Sequence, residues 1–306
     1  MKKILLSTLG FLMALSALAQ EKVLKSLDEK AAFYGDIAKQ IWSNPELGYL
    51  EAESSALLQR TLQEAGFKVT VGVAEIPTAF VAEYGSGKPV IGIMAEFDAL
   101  PGVSQQAVPF RQPVVEGGAG HACGHHLFGA ASVAAGISVM EWMKENKIQG
   151  TIRVYGTPAE EGGGGKVYIA RAGLIKDVDV MMHWHPGSQN AAGATSSLAN
   201  ISTKFRFYGE ASHAAAAPER GKSSLDAVEA MNFMVNLMRE HVPQETRMHY
   251  VITKGGEAPN VVPAFAESYH YVRHPDALVV KLIFERMVKA AEGAALGTQT
   301  RMEYEV

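Results

Sequence analysis

Three short segments concentrate side chains that can hold a metal ion or carry a proton. In Gly120-His121-Ala122-Cys123-Gly124-His125-His126 a cysteine and a histidine stand two apart in a glycine-rich turn, so a thiolate and a ring nitrogen can converge on one point. Taken alone the pair also fits plain packing, because a cysteine at a helix start commonly behaves as a small hydrophobe. His121 and His126 read as structural or supporting groups rather than ligands. In Gly156-Thr157-Pro158-Ala159-Glu160-Glu161-Gly162-Gly163-Gly164-Gly165-Lys166 two adjacent carboxylates follow an apolar run. They would pass for a solvated turn, but the glycines beside them let backbone and side chains crowd around an ion or a substrate. A phosphate loop is excluded. It needs glycine where Glu160 stands and Ser or Thr where Val167 stands, and two carboxylates repel phosphate. In His183-Trp184-His185-Pro186 two histidines end an apolar run, and on a strand they face the same side, so either can be a ligand. Pro186 would stop that strand and leave His185 at its rim. Asp98, in Ala95-Glu96-Phe97-Asp98, stands at the end of another apolar run.

Such groups meet only if a sheet brings strand ends together, and the pattern provides one. Up to about residue 197 helical stretches (Leu24–Trp42, Glu51–Ala65, His126–Lys144) alternate with short apolar runs (Ala79–Tyr84, Val90–Ala95, Thr151–Tyr155, Val178–His183). Apolar strands without polar alternation, separated by helices, predict an α/β layer with its sheet covered on both faces. In open α/β sheets, ligands bind beyond the carboxyl ends of the strands, where all four motifs fall. From residue 198 the strands alternate: Ile201, Thr203, Phe205 and Phe207 share one face, and Ser202, Lys204 and Arg206 the other. A helix capped by Ser223 and Asp226, strands Met248–Thr253 and Phe265–Arg273, a helix from Pro275 towards Ala295 and a strand Arg301–Val306 follow. The order β-α-β-β-α-β is that of a ferredoxin-like domain.

Composition narrows the rest. With 28 Lys and Arg against 32 Asp and Glu the net charge is −4, and no basic run offers a nucleic-acid site. One cysteine, Cys123, allows neither an internal disulfide nor a cysteine-rich zinc module. Residues 1–19 read as an export signal, with Lys2 and Lys3, an apolar stretch Ile4–Leu15 and a small-residue Ala17-Leu18-Ala19 site. The apolar stretch is shorter than the ~20 residues of a bilayer span. The expected mature chain begins near Gln20, is periplasmic or secreted, and keeps no membrane contact.

The motifs together resemble the co-catalytic metallopeptidase and amidohydrolase superfamily of aminoacylases and carboxypeptidase G. Within it they are most similar to the branch of the aminobenzoyl-glutamate hydrolase B subunit. "HACGHHLFGAAS", "GTPAEEGGGGK", "WHPG", "SHAAAAPERGKSSLDAVEAMN" and "GGEAPNVVPAFAESYHYVRHP" carry the resemblance over most of residues 90–275. It implies an α/β catalytic domain (residues 20–197) with a mixed sheet and two divalent ions, Zn2+ or Mn2+. It also implies an inserted ferredoxin-like lid (198–306) through which a homodimer or related hetero-oligomer forms. By resemblance Cys123, His125, Glu161 and His185 are metal ligands, with His183 the alternative to His185. Glu160 is the general base, and Asp98 a carboxylate steadying a ligand from behind. His213 stabilises the oxyanion of a neighbouring subunit's site, and Asn260 and Arg273 hold substrate. The implied reaction is hydrolysis of an N-acyl amino acid or similar small amide such as aminobenzoyl-glutamate. A dipeptidase or aminoacylase of the same superfamily is the alternative. Family members return from the lid to complete the catalytic domain and add a last histidine ligand. The sequence therefore reads as C-terminally truncated at Val306, and an inactive metal-binding or dimerisation fragment is the reading from another class.

Overall fold

In the computed structural model, residues 21–193 and 196–306 are described. The expected signal peptide lies outside them. The chain divides into two units between Asn190 and Ala191, a few residues ahead of the change of pattern at 198.

The first unit is a mixed sheet of β1 (Lys68–Val71), β2 (Phe80–Ser86), β3 (Val90–Ala95), β4 (Gly150–Gly156) and β5 (Val180–Met182), in the order β1-β2-β4-β3-β5. β2 runs antiparallel to β1 and β4, whereas β3 is parallel to β4 and β5. Successive side chains on a strand point to opposite faces, and both faces are covered here. Phe80, Ala82, Ile93, Ala95, Ile152 and Val154 pack with Ile37 and Ile41 of α1 (Ala31–Ser43), Leu58 and Leu62 of α2 (Ala52–Ala65), and Val133 and Ile137 of α3 (His125–Asn146). On the reverse face Val81, Tyr155 and Met181 meet Ile76 and Ile169, the latter from α4 (Gly165–Arg171). α3 approaches β4 so closely that a Cβ on Gly136 would stand 2.4 Å from Val154 Cγ2.

Two details differ from expectation. β1 has no apolar run to announce it; Lys-Val-Thr-Val is a largely exposed edge strand that pairs only with β2. The strand expected over Val178–His183 is just Val180–Met182, so His183 and His185 lie in the loop beyond it rather than on a strand face. The cause is Phe128 of α3. Its ring is 5.1 Å from that of His183, 5.3 Å from Trp184 and 6.4 Å from His185, and an alternating strand cannot turn three consecutive rings to one side.

The second unit follows the order β-α-β-β-α-β: β6 (Ala199–Tyr208), α5 (Ser224–Leu237), β7 (Arg247–Lys254), β8 (Phe265–His274), α6 (Ala277–Thr298) and β9 (Arg301–Glu305). Its sheet is antiparallel throughout, in the order β7-β8-β6-β9. Both helices open on side-chain caps. Ser223 Oγ accepts from Asp226 N at 3.1 Å, and Asp276 Oδ1 from Leu278 N at 2.8 Å. Phe205, Phe207 and Val272 of the sheet pack on Val228 and Met231 of α5 and on Ile283 and Met287 of α6. No helix among the described residues is long and apolar enough to cross a membrane.

Candidate metal centre

β3 and β4 are parallel neighbours, so the segments leaving Ala95 and Gly156 emerge side by side. Asp98 follows β3, is buried, and joins two of the motifs. Its Oδ1 lies 3.0 Å and its carbonyl oxygen 3.1 Å from His125 Nδ1, and its Oδ2 accepts from Glu161 N at 2.8 Å. His125 opens α3, directly after the left-handed Gly124. Its Nδ1–H is thereby held by Asp98, and its Nε2 is left to face the other motifs. His185 is arranged the same way, Nδ1 being 2.9 Å from Pro186 O and Nε2 3.3 Å from Cys123 Sγ. Donor atoms of Cys123, His125 and His185 all lie within 4.8 Å of one another. Metal-binding histidines characteristically donate one ring N–H to a carboxylate or carbonyl and present the other nitrogen, and both histidines here do so.

The turn after β4 brings in Glu160 and Glu161. Ala159 sits in the left-handed region at φ 54°, unusual for a residue with a side chain. Its N–H donates to Glu51 Oε1 at 2.8 Å, while Glu51 Oε2 accepts from Thr78 Oγ1, so a buried carboxylate at the start of α2 braces the turn. Gly165 is required by crowding, because a Cβ there would stand 2.1 Å from Pro158 O. Glu160 Oε2 comes within 4.0 Å of His125 Nε2, and donor atoms of Glu96, His125 and Glu160 form a second group within 4.8 Å.

Glu96 was not singled out in the sequence. It is buried, with Oε2 2.9 Å from His125 Nε2 and Oε1 paired to Lys166 and 3.3 Å from His183 Nε2. An acidic residue two before Asp98 at a strand end, and a lysine closing the glycine run, were the available signals. Burial alone would raise the Glu96 carboxyl, but His125 and Lys166 outweigh it and hold it at about 2. Burial likewise opposes a charge on His125, yet carboxylates at both nitrogens lift it to about 10. Burial and the carboxylates of Glu161, Glu160 and Glu96 push the Cys123 thiol up to about 12. A lone thiol so placed stays protonated and is no nucleophile at neutral pH. Burial raises the Glu160 carboxyl, and the charges of Glu96 and Glu161 add to the rise.

These residues fit a divalent transition ion. Sulfur, imidazole and carboxylate donors converge, and both Glu96 Oε2 and His125 Nε2 are buried without an aligned hydrogen-bond partner. A cation beside them satisfies both. Glu161 belongs to neither group of donors but lies close enough to Cys123 to shift it.

The remaining sequence candidates lie in the second unit. The loops of His213 and Asn260 are joined: Ala214 N donates to Asn260 O at 3.0 Å, and His213 bridges Val261. His213 Nδ1 accepts from the N–H groups of Ala215 and Ala216 at 3.2 and 3.1 Å. Arg273 stands apart from both. On β8 it pairs with Asn200 at the start of β6, whereas the His213 loop follows the other end of that strand, roughly 25 Å away at ~3.3 Å per residue. Its guanidinium lies over the Tyr271 ring at 5.1 Å.

Comparison with known proteins places this arrangement. The model of peptidase family M20/M25/M40 matches residues 92–302. The chain is 47% identical over 273 residues to the B subunit of p-aminobenzoyl-glutamate hydrolase from Escherichia coli (strain K12), covering 88% of this chain and 56% of that protein. It is 30% identical over 301 residues to the Xaa-Arg dipeptidase of Mus musculus, covering 94% and 66% respectively. The chain thus spans between about half and two thirds of the length of these curated relatives. Among solved structures, a dinuclear metal binding peptidase of Bacillus subtilis superposes with a TM-score of 0.61 at 23% identity, over 90% of this chain and 72% of that one, a likeness of fold. On the extent of the family match and the level of identity, the chain belongs to peptidase family M20/M25/M40.

Proposed function

We propose that the protein is a metal-dependent amidohydrolase that cleaves the amide bond of an N-acyl amino acid or small peptide-like substrate, with p-aminobenzoyl-glutamate, named in its E. coli relative, as the leading substrate. The observation that carries this reading is the matched pair of histidines. His125 and His185 each have Nδ1 tied back and Nε2 turned towards Cys123, with Glu160 alongside. Cys123, His125, His185 and Glu161 would hold two divalent ions, Zn2+ or Mn2+, with Glu96 beside them. When bound, such ions lower the pKa of water and polarise the scissile carbonyl.

Glu160 is the group that moves the proton. Its carboxyl binds a proton more tightly than an ordinary one, so it can take one from the attacking water and return it to the leaving nitrogen. Asp98 fixes the tautomer of His125 and, through Glu161 N, the turn that carries Glu160. Lys166 offsets the charge of Glu96.

The second unit serves, in this reading, as a ferredoxin-like lid. Its His213 would reach a neighbouring subunit's site, Asn260 and Arg273 would hold substrate, and the assembly would be a homodimer or a hetero-oligomer with a related chain. The N-terminal pattern supports export, and N-terminal sequencing of mature protein beginning near Gln20 is the check. The match to an Xaa-Arg dipeptidase supports a second substrate class, and a panel of N-acyl amino acids and dipeptides separates the two.

The test is Glu160→Gln in the full chain. Metal content should stay at the wild-type level while hydrolysis falls by at least ~100-fold. Substantial residual turnover would remove Glu160 from this role. Cys123→Ala should lower metal content, and full occupancy in that variant would count against the site.

A further inference from the structure

Tyr49, in the turn between α1 and α2, has no part in the reaction described above, yet its backbone lies in the left-handed region at φ 68°. Glycine or asparagine ordinarily fills such a position, because a bulky side chain crowds the backbone there. A residue is kept in that conformation only where its surroundings over-determine it, and such places cluster at functional sites. A tyrosine standing where the backbone favours glycine implies that its side chain is needed.

The turn that carries it is firmly tied. Ala99 N donates to Glu46 O at 2.8 Å and Leu47 bridges Ala99, so the turn is joined to the segment that holds Asp98. Leu50 N closes it by donating to Leu47 O at 2.9 Å. From this base the Tyr49 hydroxyl donates to Gly163 O at 2.7 Å. The ring lies along the same residue, since a Cβ on Gly163 would stand 2.8 Å from Tyr49 Cε2. Burial, with Tyr168 and Glu51 nearby, raises the phenol's pKa, so it remains a donor at neutral pH.

That bond falls where the carboxylate turn has least to hold it. Ahead of Glu160, Ala159 N is held by Glu51, and Glu161 N is held by Asp98. Beyond Glu161 come four glycines, 162 to 165, with Gly162 and Gly164 left-handed at φ 84° and 68°. Such a run has little conformational preference of its own. Among the described residues, the side-chain hydrogen bond to it comes from Tyr49. We propose that Tyr49 is a positioning residue: its hydroxyl and ring clamp Gly163, fix the glycine turn behind Glu160 and so aim that carboxylate. The effect on turnover rests on Glu160 as the base; the clamp itself does not.

Two variants of the full chain test it. Tyr49→Phe keeps the ring and removes the hydroxyl, whereas Tyr49→Gly relieves the backbone and removes the whole side chain. In the metal-free chain both should speed amide hydrogen exchange over residues 160–165 at least ~10-fold, while β3 and α3 keep their protection. With metal bound at the wild-type level, kcat on p-aminobenzoyl-glutamate should fall about 10- to 100-fold and KM should change less than about 2-fold. If position 49 served only its own backbone, glycine would serve as well and Tyr49→Gly would keep its kcat. Wild-type exchange in Tyr49→Phe, or wild-type kcat in Tyr49→Gly, overturns the proposal. The two readings fail separately. Faster exchange in both variants beside a fully active Glu160→Gln enzyme keeps the clamp and removes the mechanism. Wild-type exchange beside an inactive Glu160→Gln enzyme does the reverse.

Discussion

His125 Nε2 and Glu96 Oε2 lie 2.9 Å apart, both shut away from solvent and neither in an aligned hydrogen bond. Two such atoms hold this position with a proton or a metal cation between or beside them, which makes Glu96 a candidate support of the metal centre. Glu96→Gln keeps the shape and removes the charge that Lys166 and His125 share. Affinity for a divalent ion should fall about 10- to 100-fold, read by competition with a chromogenic chelator. Unaltered affinity would put Glu96 outside the centre.

Asp98 accepts through both oxygens, from His125 Nδ1 and from Glu161 N. An asparagine accepts through one only, so Asp98→Asn must turn an NH2 group on one of these donors. We expect a loss of about 1–3 kcal/mol in urea unfolding of the metal-free chain, together with weaker metal binding. Wild-type stability would mean that the turn is held by other bonds.

Metal uptake should release protons. With His125 lifted to about 10 and Cys123 to about 12, both are protonated at pH 7.5, and a metal takes ligands in their deprotonated form. Calorimetry in two buffers of different ionisation enthalpy should report about two protons displaced, one from each residue. No difference between the buffers would rule out one or both as ligands.

Gly136→Ala sets helix preference against space. Alanine gains up to ~1 kcal/mol in helix propensity, but its methyl would press on the buried, β-branched Val154 at 2.4 Å. Crowding should win, with a net loss of about 1–3 kcal/mol seen as a lower melting temperature. A more stable variant would show that α3 can move off the sheet.

The second unit carries its own acid sensitivity. His270 is 1% exposed, with Nδ1 unpartnered and the rings of Tyr250 and Phe205 beside it, and burial lowers its pKa to about 4. Above pH 6.5 it is neutral whether folded or unfolded. As pH falls from 6.5 towards 4 the unfolded chain takes up a proton that the folded one refuses, so stability declines by about 3 kcal/mol in total and then levels off. Chemical denaturation at pH 7.5 and pH 4 should show His270→Leu losing less stability than wild type over that interval. Parallel losses would assign the acid sensitivity elsewhere.

Local pattern alone carried most of the strands and the helix cap at Ser223, but neither the edge strand β1 nor the early end of β5 at Met182. Period-2 alternation at Ile201–Phe207 and unbroken apolar runs at Val90–Ala95 each correspond to one way of burying a strand, and neighbours in the chain suffice to reveal which. The motifs made Cys123, His125, Glu160 and His185 candidates for the same reason, since their neighbours are the turns and helix start that present them. Tertiary structure decided what no neighbour could report. Phe128, 55 residues upstream of His183, draws the His183–His185 segment off its strand; Glu51 pins a turn 108 residues away. Glu96 looks in sequence like any acidic residue after a strand, and only the packing of α3 and the glycine turn against β3 encloses it with His125 and Lys166. Burial, and the electrostatics that follow from it, depend on contacts between distant segments, so the supporting shell of the centre became legible only once the chain was folded.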